Sequence, residues 1–192
     1  MAEEGKKAGK TALLNFASYK NPGGGFLHGM MAQEEALCHA SALYNILVQA
    51  ENFYAWNNQN KEKGMYLNRA IYTPAIPFFS REGKEFPCDV ITCAAPNYSN
   101  AKRYKMVTPE ENFEALASRI CFVCDIAEEM KVDTLILGAF GCGVFGQDPE
   151  VVAELFRKRL ASSPIRRAIF AVPGNTEVDS NAKAFAKMAA GE

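Results

Sequence analysis

The sequence predicts an α/β domain with a mainly parallel sheet covered by helices on both faces, and three observations predict it. Short apolar runs alternate along the chain with longer segments whose apolar residues recur every three to four positions. Two glycine-rich loops each follow a strand-like run and precede a helix-like one. No internal repeat, low-complexity tract or linker interrupts residues 1–192, which therefore read as a single domain.

The elements follow in order. Thr11-Ala-Leu-Leu-Asn15 is a buried strand that runs into a loop, Ala17 to Gly29, containing Pro22-Gly23-Gly24-Gly25. Apolar residues then fall at Ala36/Leu37, Ala40, Leu43/Tyr44 and Leu47/Val48, one face of a helix, with Glu34, Glu35, His39, Asn45 and Gln49 mostly off it. Strands are expected at 69–73 and 90–94, separated by a segment rich in Pro and aromatics. Thr108-Pro109-Glu110-Glu111 opens a helix with a capping box and proline at the first helical position, running to about Lys131. Thr134-Leu-Ile-Leu137 is the strongest strand and leads into the second glycine-rich loop, Gly138–Gly146. Asp148-Pro149-Glu150 starts a helix ending near Ser162; a strand at 167–172 and a helix over Asp179–Met188 complete the chain. In such sheets ligands bind where loops leave the carboxyl ends of strands, so both glycine loops point at one site.

Composition narrows the function. A formal net charge of −1 gives no basic face for sequence-specific nucleic-acid binding, so any phosphorylated ligand must be met by local groups. The polar Met1-Ala-Glu-Glu-Gly-Lys-Lys start carries no signal-peptide pattern, and no run approaches the roughly 20 apolar residues of a membrane helix. The six cysteines lie in apolar or glycine-rich segments, not in a disulfide framework, and a reducing cytoplasm is the expected location.

Three consecutive glycines in Asn21-Pro-Gly-Gly-Gly-Phe-Leu-His-Gly29 let backbone pass close to a ligand and offer N–H groups; the plain alternative is a flexible surface loop. Four glycines in Gly138-Ala-Phe-Gly-Cys-Gly-Val-Phe-Gly146, between a strand and a helix N-terminus, suit a diphosphate. The loop lacks the Lys-Ser/Thr of a P-loop, which argues against nucleoside triphosphate hydrolysis. Phe140 and Phe145 are open to two readings, ordinary packing or cover for a ribose. Gln33-Glu34-Glu35 in a first helical turn is by default a dipole-favoured pair, and a general acid there needs burial or a neighbouring charge to raise its pKa.

Taken together, Asn15-Phe-Ala, Pro22-Gly-Gly-Gly25, a seven-residue spacer and Gln33-Glu-Glu35 resemble the signature of the poly(ADP-ribose) glycohydrolases. Ala36-Leu-Cys, Ser41-Ala-Leu-Tyr44 and Gly138–Gly146 look like the microbial branch, and the resemblance covers roughly residues 11 to 175. It implies a macrodomain-like fold, a mixed, mainly parallel sheet between helices. It implies an ADP-ribose-binding glycohydrolase that cleaves the bond at the terminal ribose of ADP-ribosylated protein or poly(ADP-ribose), without metal or other cofactor. Glu35 would be the general acid and then the base that activates water, while Glu34 would orient ribose hydroxyls. Asn15, Gly23, Gly24, Gly25 and Gln33 would belong to the ribose and diphosphate site. Gly141, Cys142, Gly143, Val144, Phe145 and Gly146 would wrap the diphosphate from the other side, with Phe145 on the ribose.

Family members carry a first strand and an adenine-contacting acidic residue upstream of Asn15-Phe-Ala, whereas Met1–Lys7 looks like only the tail of the helix that follows them. The adenine end is therefore expected to be open, built by other residues or completed by a second subunit, and an exposed sheet edge would suit a homodimer. Among other candidates, Cys121-Phe-Val-Cys124 reads as buried packing and Cys142 as a small loop residue. His28 reads as a solvated loop residue, with contact to substrate as the alternative, and His39 as a surface or supporting one. Arg166-Arg167 read as flanking a strand, and the 97–105 segment with Tyr98 as a polar loop able to gate the pocket. The competing functions are an ADP-ribose reader without turnover and an interaction protein with an occluded pocket. Retention of Glu35 favours the enzyme, because a reader has no use for the acid.

Overall fold

The computed structural model describes residues 9–191, so the expectation placed on Met1–Lys7 lies outside the described residues. Five strands form one sheet in the order β2-β3-β1-β4-β5. They are β1 (Thr11–Phe16), β2 (Ala70–Phe79), β3 (Glu85–Cys93), β4 (Thr134–Leu137) and β5 (Arg167–Phe170). β1 is central and parallel to both β3 and β4, β5 is parallel to β4, and only β2 runs antiparallel.

Period-two alternation along these strands decides which layer each side chain joins. Ala12, Leu14, Ile91, Cys93, Leu135 and Leu137 enter the larger core cluster, beneath α5 (Pro109–Glu129), α6 (Pro149–Leu160) and α7 (Ser180–Ala190). Leu13 and Val90 point to the other face and pack with Cys38, Leu43 and Leu47 of α1 (Gln33–His39) and α2 (Leu43–Leu47). The same alternation turns Asn15 and Thr92, neighbours in the β1–β3 register, toward α1 at the carboxyl end of the sheet.

The capping signals hold: Thr108 and Glu111 form the reciprocal box at α5, and the Asp148 side chain accepts from Glu150 and Val151 at α6. Three local expectations change. The apolar stripe from 36 to 48 is two helices, because Ser41 bridges to Phe78 and Phe79 N–H donates to the Ala40 carbonyl, so the open edge of β2 interrupts the helix. The Pro- and aromatic-rich segment extends two strands into one hairpin; prolines are tolerated because β2 is an edge strand, and a register shift between Thr73 and Ile76 absorbs the irregularity. Two helices had no clear sequence signal, α3 (Glu51–Gln59) and α4 (Tyr98–Arg103), the latter within the stretch read as a polar loop.

Candidate active site

The carboxyl ends of β1, β3 and β4 open into a cavity of about 690 Å³, lined by both glycine-rich loops and by the first turn of α1. The connection after β1 doubles back on itself. Gly24 N–H donates to the Asn21 carbonyl at 3.1 Å, Phe26 N–H donates to the Gly23 carbonyl at 3.0 Å, and the chain then enters α1 at Gln33. The Gln33 amide ties α1 to β1, accepting from Phe16 N–H at 2.8 Å and donating to the Leu14 carbonyl at 2.9 Å.

That tie places two adjacent carboxylates inside the protein, Glu34 at 3% and Glu35 at 4% exposure. Glu34 accepts from Asn15 Nδ2 at 3.2 Å and from Ser18 N–H at 2.7 Å. Glu35 accepts from Gly25 N–H at 2.7 Å and from Ala32 N–H at 3.1 Å. Every carboxylate oxygen of the pair thus has a fixed donor. Burial pushes the Glu34 carboxyl up to about 7, with the Glu35 charge adding to the rise and the Ser18 and Asn15 hydrogen bonds opposing it. The middle glycine of the three shows how tightly the loop is drawn onto the pair. Gly24 has φ +59°, and a Cβ there would stand 2.5 Å from Glu35 Oε1.

The second loop closes the opposite side. Gly141, at φ +78°, leaves no room for a Cβ, which would sit 2.7 Å from that of Ala95. Gln147 anchors the end of the loop: its amide donates to the Pro96 carbonyl and to Asn112 Oδ1, both at 2.8 Å, and accepts from Asn112 Nδ2 at 3.0 Å. Phe140 is fully buried against Phe16, so it packs, while Phe145 stands edge-on to Tyr66 with ring centroids 6.2 Å apart.

Of the residues singled out from sequence, Gly24, Gly25, Gln33, Glu34, Glu35, Gly141, Gly143, Val144 and Phe145 line the cavity. Asn15 sits behind Glu34; its Oδ1 is buried without a partner. Gly23 faces Tyr44 and Cys38, and Gly146 lies against Ser99. Cys142 packs on the core with its thiol pushed up to about 12 by burial, which fits a small loop residue rather than a nucleophile. His28 lies exposed on the cavity lining, and His39 turns away to stack its ring edge on Phe26. Cys124 is in the core as expected; Cys121 is exposed instead, about 100° around α5 from the buried Ile120.

Sequence reasoning missed the wall on the β3 side. Tyr19 and Tyr66 both line the cavity and stack with centroids 4.0 Å apart. Behind them Arg119 is 1% exposed and lacks a carboxylate partner among the described residues; its guanidinium donates to the Ala94 carbonyl, to Asn68 Oδ1 at 2.7 Å and to the Met65 carbonyl at 3.4 Å. Only its position on the buried stripe of α5, between Leu116 and Ile120, was a sequence signal.

A parallel-rich sheet whose strand ends open into a cavity, with a buried carboxylate pair between two backbone-rich loops, defines an α/β domain with a candidate ligand site. The family model described as microbial-type PARG, catalytic domain, matches residues 1–81. The poly(ADP-ribose) glycohydrolase of Deinococcus radiodurans, solved with ADP-ribose, is 36% identical over 95% of this chain and 76% of its own, with a TM-score of 0.85. That of Thermomonospora curvata, solved with the inhibitor ADP-HPD, is 35% identical over 93% of this chain and 70% of its own, with a TM-score of 0.83. No curated protein matches the chain. The chain belongs to the microbial-type poly(ADP-ribose) glycohydrolase family.

Proposed function

We propose that this protein binds ADP-ribose in the cavity and hydrolyses the glycosidic bond at the terminal ribose of ADP-ribosylated protein or poly(ADP-ribose), with Glu35 as the acid–base group. The single observation that carries the reading is the buried Glu34–Glu35 pair, clamped between β1 and the Pro22–Gly25 loop on the cavity lining. The solved relatives were crystallised with ADP-ribose and with ADP-HPD, and their fold is shared over nearly the whole chain.

In this reading the diphosphate lies against the backbone of Gly141–Phe145, where N–H groups replace the missing cationic side chains. Protonated Glu35 gives its proton to the departing oxygen as the C1–O bond breaks and positive charge grows on the ribose. The resulting carboxylate takes a proton from water, whose hydroxyl adds to C1, and Glu35 is regenerated. Glu34, its carboxyl raised by burial to about 7, orients ribose hydroxyls.

The test is release of free ADP-ribose from poly(ADP-ribose) and from mono-ADP-ribosylated protein by wild type and by Glu35→Gln, which keeps the shape and removes the proton donor. We expect a loss of about a hundredfold or more in the variant, and the two substrates report which linkage is accepted. ADP-ribose binding without release from either substrate would instead identify a reader.

A further inference from the structure

α4 separates the active-site cavity from a second depression, and the two sides of the helix differ in character. On one side Asn97 and Asn100 line the main cavity, and Ser99 N–H donates to the Phe145 carbonyl at 2.9 Å, fastening α4 to the diphosphate loop. On the other is a shallower groove of about 310 Å³, whose lining includes Tyr98, Lys102, Lys105, Met106 and Glu111. Within Tyr98–Lys105, Lys102, Arg103 and Lys105 are exposed, and the segment contains no acidic residue. None of the three cations makes an ion pair among the described residues. Lys102 Nζ lies 5.7 Å from the Tyr98 ring and Arg103 Cζ 5.8 Å from the ring of Tyr104, itself 63% exposed. Glu111 does not cancel this charge fully, since its carboxylate is engaged by Thr108 N–H at 2.6 Å in the α5 cap.

Cations interleaved with aromatic rings are what a chain of alternating phosphates and bases needs, the cations for the backbone charge and the rings for base stacking. In a protein of net charge −1, three unpaired cations in four residues are a local feature rather than part of a general field. An α-helix is only about 10–12 Å across with its side chains. A polymer with one unit in the cavity therefore needs little further length to reach the far side of α4.

We propose that the Tyr98–Lys105 surface is a second subsite that binds the neighbouring unit of a poly(ADP-ribose) chain while its terminal unit occupies the cavity. The inference rests on the ADP-ribose reading of the cavity and deepens it, because it makes the polymer rather than a single unit the better ligand.

The experiment places Lys102→Gln/Lys105→Gln on a Glu35→Gln background, so that polymer is bound and not consumed, and measures affinity for poly(ADP-ribose) and for free ADP-ribose at several salt concentrations. We expect polymer affinity to fall about tenfold at low salt and the slope of log K against log salt to become shallower by about 1.4, the value for two lost phosphate contacts on a single strand. ADP-ribose affinity should stay within about twofold, which also shows that the variant folds. Unchanged polymer affinity, or an equal loss for both ligands, would overturn the subsite. So would single-stranded RNA of matched length competing as well as the polymer, since the surface would then be a general polyanion contact. If the protein with Glu35 intact binds polymer in this lysine-dependent way yet releases no ADP-ribose, the hydrolase reading fails and the subsite stands.

Discussion

The cavity has two buried charged walls of opposite sign, and they are built in opposite ways. On the β1 side two carboxylates are held by N–H donors from Ser18, Gly25, Ala32 and the Asn15 amide. On the β3 side one guanidinium is held by carbonyl oxygens of Met65 and Ala94 and by Asn68. Among the described residues neither wall uses an ion pair; each satisfies its charge with fixed dipoles. The difference lies in what each can then do. Both carboxylates lie on the cavity lining, and burial raises the Glu34 carboxyl to about 7, so this wall can take up and release a proton near neutral pH. An arginine stays protonated in proteins, and Arg119 is screened from the cavity by the Tyr19–Tyr66 stack, so it holds geometry.

The strongest way to break this comparison is to remove the cation. Arg119→Met keeps much of the side-chain volume but leaves the Ala94 and Met65 carbonyls without their donor. It should lower unfolding free energy by about 3 kcal/mol in urea titrations. A loss below 1 kcal/mol would mean that the carbonyls find other partners and that Arg119 is not the tie we describe.

Glu34 tests the opposite wall through pH. Its folded-state carboxyl is raised from the ordinary 4.5 to about 7, so between those values the native protein keeps a proton that the unfolded chain has released. Stability therefore falls as pH rises across that window, by about 3 kcal/mol at 1.36 kcal/mol per pH unit, and stays low above it. Glu34→Gln should flatten that decline while leaving stability at pH 4.5 within about 1 kcal/mol of wild type. Denaturant midpoints at pH 4.5, 5.5, 6.5 and 7.5 decide it, and an unchanged slope would assign the decline to another group.

A smaller effect sharpens the same wall. Gly24→Ala puts a methyl group at φ +59°, 2.5 Å from Glu35 Oε1, and should cost about 1–2 kcal/mol of stability. Because the carboxylate must move, ADP-ribose release should fall about tenfold or more with little change in KM. A variant with full activity would show that the glycine is there for the turn alone.

Much of this was legible in the residues themselves. The five strand cores, the Thr108 and Asp148 caps and the two glycine loops are local signals, because capping and periodicity depend on neighbours within four residues. Gln33-Glu34-Glu35 was legible as a motif, yet its physics was not, since the burial that raises Glu34 comes from β1 and the Ser18 turn. Read alone, the helix dipole argues for a shift in the other direction.

The sequence by itself determined the α/β class, the alternation that sends Asn15 toward α1 and Leu14 toward α5, and the pair of backbone-rich loops at strand ends. Only the tertiary structure decided that the 36–48 stripe breaks at Ser41, because the interruption is made by hydrogen bonds to a strand some forty residues away. It alone brought Tyr19, Tyr66 and Arg119 together across three segments, and it alone set α4 between a polar cavity wall and a basic outer surface. Those contacts join residues far apart in the chain, and no local preference encodes which distant partner will satisfy a buried charge.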